Sequence, residues 1–291
     1  MRNLSISAKQ LLVVACCTCV LGVQLIAQSI KPVKKGYAPV NGLKLYYEVY
    51  GEGKPILLLH GAFMTINSNY SALIPLLTKN RRVIAAEMQG HGHTNDISRP
   101  FSIEAMADDV AGLMKYLNID TTDVFGYSMG GEIAWQLAIS HPQLVRKLIV
   151  VSAPYTSNGW TPESKALFPL INAKMFLNTP IQKEYDSLAP DPSHFTQFIE
   201  RMKEMVAKPF DYPADKIKAI QAPTLIVSGD GDGVLPEHAV EMFRLRGGKM
   251  MAEFSAPPRI QLAILPGCSH IGVMMHSEWL AAMISPFLDA R

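Results

Sequence analysis

The chain has 291 residues, 48% of them hydrophobic, and a formal net charge of +2. This size and apolar content are typical of one sizeable α/β domain, and they argue against two independent domains. A charge this close to zero argues against nucleic acid or an anionic membrane as a partner, because both select strongly basic surfaces.

The N-terminal segment, residues 1–29, is typical of a secretory signal peptide. Arg2 and Lys9 precede an apolar stretch, and the segment holds no acidic residue. Ala27 at the third position before the cut fits cleavage after Ser29, and cleavage after Ala27 is the alternative. We therefore predict a secreted or periplasmic protein with no membrane association after cleavage. The competing interpretation is an uncleaved anchor helix, although the span is near the lower limit for crossing a bilayer.

Removal of residues 1–29 would leave one of the four cysteines, Cys268, and would bring the formal charge to zero. The predicted mature chain therefore has no internal disulfide. Because Cys268 lies two residues before His270, a catalytic thiol has to be considered. The competing interpretation is a small, buried, apolar filler.

The predicted sheet begins with a hairpin, in which Asn41-Gly42 forms a two-residue turn between Tyr37–Val40 and Leu43–Tyr50. Apolar runs at 56–59, 82–86, 147–152, 223–228 and 260–265, and a run leading into residue 128, predict further strands. Helical segments are predicted at 70–78, after Ser102, after residue 128, at 238–245 and up to 288. This alternation predicts an α/β fold with a mostly parallel, doubly wound sheet and helices on both faces.

The alternation stops at Ala153-Pro154. Residues 153–218 hold no clear strand, and one helix is legible from apolar residues that share a face between Phe195 and Val206. We interpret 153–218 as a helical lid inserted into an α/β core formed by residues 30–152 and 219–291.

The stretch Gly126-Tyr127-Ser128-Met129-Gly130 joins a predicted buried strand directly to a helix. A turn this tight crowds the backbone, so glycine is favoured on both sides of the serine, and the hydroxyl is pushed into the open. The Met129 N–H opens the helix and is free to bind an anion. The motif therefore predicts a nucleophile and half of an oxyanion hole.

Two later strand ends carry an acid and a base. Asp230 and Asp232 follow the strand at 223–228, and His270 follows the strand at 260–265. Because functional groups gather at the carboxyl ends of parallel strands, we expect Ser128, one of these aspartates and His270 to meet there. The order Ser, Asp, His along the chain fits a hydrolase triad.

From about Leu43 to Leu288 the chain resembles the α/β-hydrolase fold family, and in particular its serine esterase-like and haloperoxidase-like members. The resemblance rests on motifs in the expected order and spacing: His60-Gly61, Gly90-His91-Gly92, Gly126 to Gly131, Gly229 to Asp232 with Pro236, and Gly267 with His270.

The resemblance implies a role for each site residue. Ser128 would be the nucleophile, His270 the general base and Asp232 its orienting acid. Asp232 is preferred over Asp230 because it lies just ahead of the segment that ends in Pro236, although both lie in one loop. The oxyanion hole would use the N–H groups of Met129 and Ala62, with Phe63 as the alternative to Ala62.

No cofactor or metal is expected. The Asp230–Asp232 loop lacks the further ligands of a calcium loop. His60, His91 and His93 come from different strand ends without an i, i+4 pair, so we expect them to shape loops or line the site. Glu87 lies near a position where family members often have Asp.

The leading prediction is a serine hydrolase that cleaves a carboxylic ester or a related small acyl compound through an acyl-enzyme. We expect apolar side chains of 195–206, together with Met175, Phe176 and Leu177, to line an acyl pocket. The alternative is a C–C bond hydrolase, or a cofactor-free perhydrolase or haloperoxidase-like enzyme with the same triad. A non-catalytic binding protein is disfavoured by the intact triad. Dehalogenase and epoxide hydrolase chemistry is disfavoured because it requires an aspartate nucleophile at the position that Ser128 occupies.

Overall fold

The computed structural model describes residues 30–248, 251, 253 and 259–290. The predicted signal peptide, residues 1–29, lies outside this part of the chain. None of the helices that the structure describes combines the length and the apolar character that a membrane span requires.

The core is one eight-stranded sheet with the order β1-β2-β4-β3-β5-β6-β7-β8. β1 pairs antiparallel with β2, β2 pairs antiparallel with β4, and all other pairs are parallel, as the sequence predicts. The strands are β1 (Lys34–Val40), β2 (Leu43–Tyr50), β3 (Lys54–Leu59), β4 (Arg81–Ala86), β5 (Thr122–Tyr127), β6 (Val145–Val151), β7 (Thr224–Gly231) and β8 (Ile260–Ser269).

The central strands are buried on both faces, which explains their continuous apolar sequence. In β3, Leu57 and Leu59 belong to the apolar core on one face, whereas Ile56 and Leu58 belong to the core on the other. Because the central strands are parallel, their carboxyl ends meet at one edge of the sheet. This edge carries the predicted site residues.

Eleven α-helices of the described chain complete the fold. The helices are α1 (Ile66–Tyr70), α2 (Ile74–Leu77), α3 (Ile103–Tyr116), α4 (Met129–Ser140), α5 (Pro162–Leu167), α6 (Pro180–Leu188), α7 (Phe195–Val206), α8 (Ala214–Ala219), α9 (Pro236–Leu245), α10 (Gly272–Met275) and α11 (Ser277–Asp289). Ser102 caps α3 as predicted, because its hydroxyl accepts the Ala105 N–H at 3.1 Å. The helix predicted at 70–78 is instead two short helices, and the first begins earlier because Thr65 and Ser68 form a capping box.

The segment between β6 and β7 contains α5 to α8 and several 3₁₀ turns. α7 turns Phe198, Ile199 and Met202 inward, and these side chains join the apolar core on one face of the sheet. Arg201 on the same helix forms an ion pair with Asp96 and packs on the Phe101 ring at 4.4 Å. We call this segment the lid.

The C-terminal end of helix α11 lies at the amino ends of the strands, opposite the predicted site residues. Lys147, near the start of β6, donates hydrogen bonds to the carbonyl oxygens of Phe287 at 2.7 Å and Ala290 at 2.6 Å. Arg81, at the start of β4, forms an ion pair with Asp289. The end of the described chain is therefore fixed at the edge farthest from the site.

Candidate active site

Ser128 lies on the turn between β5 and α4 with a φ of 53°, in the left-handed region that side chains avoid. The turn requires glycine on both sides. A Cβ at Gly126 would overlap the Gly130 carbonyl, and a Cβ at Gly130 would overlap the carbonyl of Leu59. The Ser128 N–H is fixed by the Val151 carbonyl at 2.9 Å. The strain is thus held in place by its neighbours.

The imidazole of His270 lies within hydrogen-bond distance of both predicted partners. Its Nε2 is 2.9 Å from Ser128 Oγ, and its Nδ1 is 2.7 Å from Asp232 Oδ1. The Trp160 ring from the lid packs edge-on against His270 at 5.7 Å, and the Tyr127 hydroxyl donates to the His270 carbonyl at 3.1 Å. The structure therefore brings the three predicted residues together in one line.

Asp232 receives several hydrogen bonds besides the one from His270. Ser152 Oγ donates to Oδ2 at 2.5 Å, Ser228 Oγ donates to Oδ2 at 3.2 Å, and the Val234 N–H donates to Oδ1 at 3.1 Å. Burial opposes ionisation of this carboxyl, but the hydrogen bond and charge of His270, followed by the Ser152 hydroxyl, lower its pKa to about 2. Asp232 is therefore held as a carboxylate.

Ser152 is a further residue of the site, which no sequence motif identifies. It directly follows β6 and has a φ of 53°, unusual for a non-glycine residue. The side chain is fully buried and its hydroxyl is directed at Asp232, 80 residues farther along the chain. In the sequence, the one indication of this role is that Ser152 lies at the carboxyl end of a strand, where functional side chains gather.

Asp230 and Cys268 lie near the triad but do not extend it. The Asp230 carboxylate accepts the Cys268 N–H at 3.2 Å, and no contact joins Asp230 to His270. Cys268 is buried, and burial together with the neighbouring Asp230 and Asp232 charges raises the pKa of its thiol. A thiol kept protonated is a poor nucleophile, so the structure favours the filler interpretation.

The loop after β3 presents one free backbone donor beside Ser128. A Cβ on Gly61 would lie 3.4 Å from the Ser128 Cβ, so the loop is close to the serine. The N–H groups of Gly61, Phe63 and Met64 are bound by Asn69 Oδ1, His91 Nε2 and the Gly61 carbonyl. Within the described chain, the Ala62 N–H has no partner. This distinguishes Ala62 from Phe63, the alternative that the sequence left open.

Met129 supplies the second donor. It is the first residue of α4, so its N–H has no carbonyl one turn earlier in the helix to bind. The positive end of the helix dipole also lies here and favours a negative charge. Ala62 and Met129 thus leave two N–H groups open beside the Ser128 hydroxyl.

Two buried histidines hold the loop that carries Ala62. His60 Nδ1 binds the Gly61 carbonyl at 2.8 Å and its Nε2 accepts the Met88 N–H at 3.0 Å. Burial lowers the pKa of His60, and burial, followed by the nearby His60, lowers the pKa of His91 well below its usual range. Both rings are therefore neutral. In the described part of the chain no three His, Cys, Asp or Glu side chains form a group that could hold a metal.

His93 differs from these two. Its ring is partly exposed, stacks on Tyr46 at 4.1 Å and lies 2.9 Å from Glu87 Oε2. The hydrogen bond that the His93 ring donates to Glu87 raises the pKa of His93 in spite of partial burial. Glu87 also accepts the N–H groups of Ile66 and His93 itself, which gives this buried glutamate a structural role.

Aromatic side chains of the lid lie over the Ala62 loop. The Phe63 ring contacts Phe176 at 5.1 Å and Phe198 at 6.1 Å, and Phe198 also packs edge-on against His91 at 4.8 Å. The predicted pocket residues Phe176 and Phe198 therefore reach the site. Leu177 does not, because its side chain is 52% exposed on the surface.

Comparison with known proteins agrees with this geometry. Residues 54–209, more than half of the chain, match the family described as alpha/beta hydrolase fold. The chain therefore belongs to the α/β-hydrolase fold family, and it is a hydrolase, as the sequence predicts.

The chain is also similar to individual hydrolases of this family. The chain is 27% identical to the 2-hydroxymuconate semialdehyde hydrolase of Pseudomonas sp. (strain CF600), over 85% of this chain and 91% of that protein. It is also 27% identical to the 2-hydroxy-6-oxo-2,4-heptadienoate hydrolase of Pseudomonas putida, over 86% and 95% of the two chains. A solved structure, the 2-hydroxy-6-oxo-6-phenylhexa-2,4-dienoate hydrolase of Rhodococcus sp. strain RHA1, superimposes with a TM-score of 0.72 at 19% identity, covering 90% of this chain and 100% of that one.

Proposed function

We propose that this hydrolase cleaves a carbon–carbon bond next to a carbonyl group in a small conjugated oxo acid, through an acyl intermediate on Ser128. The observation that carries the chemistry is the Ser128–His270–Asp232 line beside the free Ala62 N–H. The substrate class is taken from the relatives whose names specify oxo-dienoates and whose full length the chain nearly spans.

Each residue then has a defined task. His270 Nε2 takes the Ser128 proton as the oxygen attacks the carbonyl carbon, and the Asp232 carboxylate stabilises the imidazolium. The N–H groups of Ala62 and Met129 hold the oxyanion, and loss of one such donor typically costs about 3–4 kcal/mol of activation free energy. His270 needs no metal or cofactor to perform this proton transfer.

The leaving group sets the demand on the substrate. When the bond to carbon breaks, its electron pair must enter a conjugated carbonyl system, and the proton held by His270 returns to that fragment. Water then attacks the acyl group on Ser128, with His270 again as base, and releases a carboxylic acid. An isolated C–C bond would not react, because its carbon leaving group has no such acceptor.

A neutral carboxylic ester is the second candidate substrate. It is favoured because the cationic side chains of the lid are either already paired or exposed, so that none is reserved for a substrate carboxylate. The lid lies wholly within the described chain. Arg201 is bound by Asp96 and by the carbonyls of Ile97 and Arg99. Lys203 pairs with Glu200, and the other lid lysines are exposed. A dienoate carboxylate would therefore depend on other donors, whereas an uncharged ester needs none.

The test has two stages. A fluorophosphonate probe should label the wild type and leave Ser128→Ala unlabelled. Untreated wild-type enzyme from the same preparation is then given 2-hydroxy-6-oxohepta-2,4-dienoate, whose turnover is followed by loss of its conjugated absorbance, and, separately, a series of p-nitrophenyl esters. Higher kcat/KM for the dienoate supports C–C hydrolysis, whereas turnover of esters alone moves the assignment to the second candidate. Equal labelling of both proteins would show that Ser128 is not the nucleophile.

A further inference from the structure

The loop between β4 and α3 contains a buried histidine that neither proton transfer nor acyl transfer uses. His91 lies on the Gly90-His91-Gly92 turn and is only 1% exposed. Its ring stands 4.8 Å from the His60 ring and 4.8 Å from the Phe198 ring of the lid. It therefore lies between the oxyanion loop and the lid helix α7.

The hydrogen bonds of His91 fix which nitrogen carries the proton. Nδ1 is 3.0 Å from the Gln89 carbonyl, which can only accept, so Nδ1 must be the donor. Nε2 is 3.3 Å from the Phe63 N–H, which can only donate, so Nε2 must be unprotonated. Both contacts are satisfied by a single neutral tautomer.

The contact with Phe63 acts on the backbone of the oxyanion loop. Phe63 has a φ of 63°, a conformation that costs free energy in a residue with a side chain. On the other side of Ala62, the Gly61 carbonyl is held by His60 Nδ1 and the Met64 N–H. The peptide groups on both sides of Ala62 are thus fixed by hydrogen bonds.

We propose that His91 is a positioning residue of the oxyanion hole, which holds the strained Phe63 peptide through Nε2 so that the neighbouring Ala62 N–H stays directed at the substrate oxygen. Without this acceptor, the Phe63 N–H would lose its partner and the loop would relax toward an unstrained conformation. The Ala62 donor would then be displaced. Since His91 acts through Ala62, its loss should weaken stabilisation of the transition state and leave substrate binding unchanged.

This inference rests on the proposed serine chemistry, so the experiment begins with an enzyme that a fluorophosphonate labels at Ser128. Two variants separate the hydrogen bond from packing. His91→Phe keeps an aromatic ring against Phe198 but removes the acceptor. His91→Gln keeps an acceptor oxygen at the level of Nε2. His93→Phe, in the same loop but without contact to Phe63, is the control.

We expect His91→Phe to lower kcat about tenfold to a hundredfold with KM changed little, and His91→Gln to recover most of the loss. A trifluoromethyl ketone that adds to Ser128 forms an oxyanion in the same place, so its Ki should rise by the same factor as kcat/KM falls. If His91 had a purely structural role, its replacement would lower the unfolding temperature, but the rise in Ki would not match the fall in kcat/KM. His93→Phe should change neither.

Wild-type activity and inhibition retained in a folded His91→Phe protein would overturn the role of His91 and leave the proposed function intact. Absence of labelling in the wild type would overturn both. Nitrogen-15 NMR of the wild type gives a test that needs no variant. We expect His91 Nε2 to be unprotonated throughout the active pH range, and a proton on Nε2 would rule out the acceptor role.

Discussion

The carboxyl edge of the sheet and the lid are built in different ways. At the sheet edge, the Asp232 carboxylate has three donors besides His270 within 3.2 Å, and all the N–H groups of the loop 61–64 except that of Ala62 are bound. The first residues of the lid are hydrogen-bonded to the core, as in the contacts of Thr161 N–H with the Gly233 carbonyl at 2.8 Å and of the Tyr155 hydroxyl with Glu241 at 2.5 Å. Over the Ala62 loop, by contrast, the lid is joined to the core by aromatic contacts, by Arg201 and by a hydrogen bond from Thr65 to Glu184 at 2.7 Å. The first region fixes a geometry, whereas the second covers it and can change with fewer consequences.

From this difference we expect the two regions to control different properties of the enzyme. The hydrogen-bonded edge should determine the type of bond chemistry, because small displacements there change transition-state contacts. The lid should determine which molecule is admitted. Variants in the first region should therefore lower kcat, and variants in the second should change KM or substrate preference.

The strongest test is Ser128→Ala. Removal of the nucleophile should lower kcat by about 10⁴–10⁶-fold, since members of such a triad act as a unit. Steady-state kinetics on whichever substrate the wild type turns over will measure this, with circular dichroism to verify folding. Residual activity within tenfold of the wild type would contradict the assignment of the edge as the reacting region.

Asp232→Asn should have the next largest effect, a fall in kcat of about 10⁴-fold, because the amide presents the wrong partner to His270 Nδ1. Asp230→Asn is the matched control in the same loop. It should stay within about threefold of the wild type, since Asp230 has no contact with the imidazole. Steady-state kinetics of the two variants, measured side by side, show which aspartate orients His270. A larger loss of kcat in Asp230→Asn than in Asp232→Asn would assign this role to Asp230.

Glu132 is a half-buried carboxyl near the site that lacks the pairing of Asp232. It lies on α4 one turn after Ser128, and no described residue donates a hydrogen bond to its carboxyl. Burial raises its pKa to about 8. A carboxyl whose pKa rises on folding costs stability as the pH rises from its unfolded value of about 4.5, and the loss is complete above about pH 8.

Glu132→Gln should therefore be more stable than the wild type by about 1–3 kcal/mol at pH 9 and equal to it at pH 4. Urea unfolding at the two pH values measures this. Glu104→Gln, at an exposed position on α3, should show no such dependence. A gain from Glu132→Gln that is the same at both pH values would exclude ionisation as the cause.

The smallest effect is expected in the lid. Arg201→Met keeps the side-chain length but removes the ion pair with Asp96, so α7 should be held less firmly over the site. We expect KM to rise about three- to tenfold, which is about 1 kcal/mol, with kcat within about twofold. Lys203→Met, which breaks a surface pair on the same helix, should change neither constant. A large loss of kcat in Arg201→Met would show that the lid takes part in the chemistry.

Much of the edge region could be predicted from sequence because its chemistry depends on short motifs at strand ends. Gly126 and Gly130 mark the Ser128 turn, and the order of Asp232 and His270 follows from the alternation of strands and helices. Ser152 could not be found in this way, since its contact with Asp232 depends on the pairing of β6 with β7.

The oxyanion loop shows a second limit. The sequence left Ala62 and Phe63 as alternatives, because the choice depends on the acceptor that His91 provides from another strand end. The sequence predicts one helix at 70–78, whereas the structure has two short helices within 66–77, the first of which begins at the capping box of Thr65. The lid carries few motifs, so its helices were predicted only where the apolar period was clear, from Phe195 to Val206.

The anchoring of α11 has a practical consequence. Lys147 and Arg81 hold the residues up to Ala290 at the amino edge of the sheet, on the far side from Ser128. An affinity tag or surface tether attached after this helix would leave the lid free and the catalytic mouth turned away from the support. Immobilised protein oriented in this manner is therefore suited to flow measurements in which substrates of different size are passed over the same enzyme.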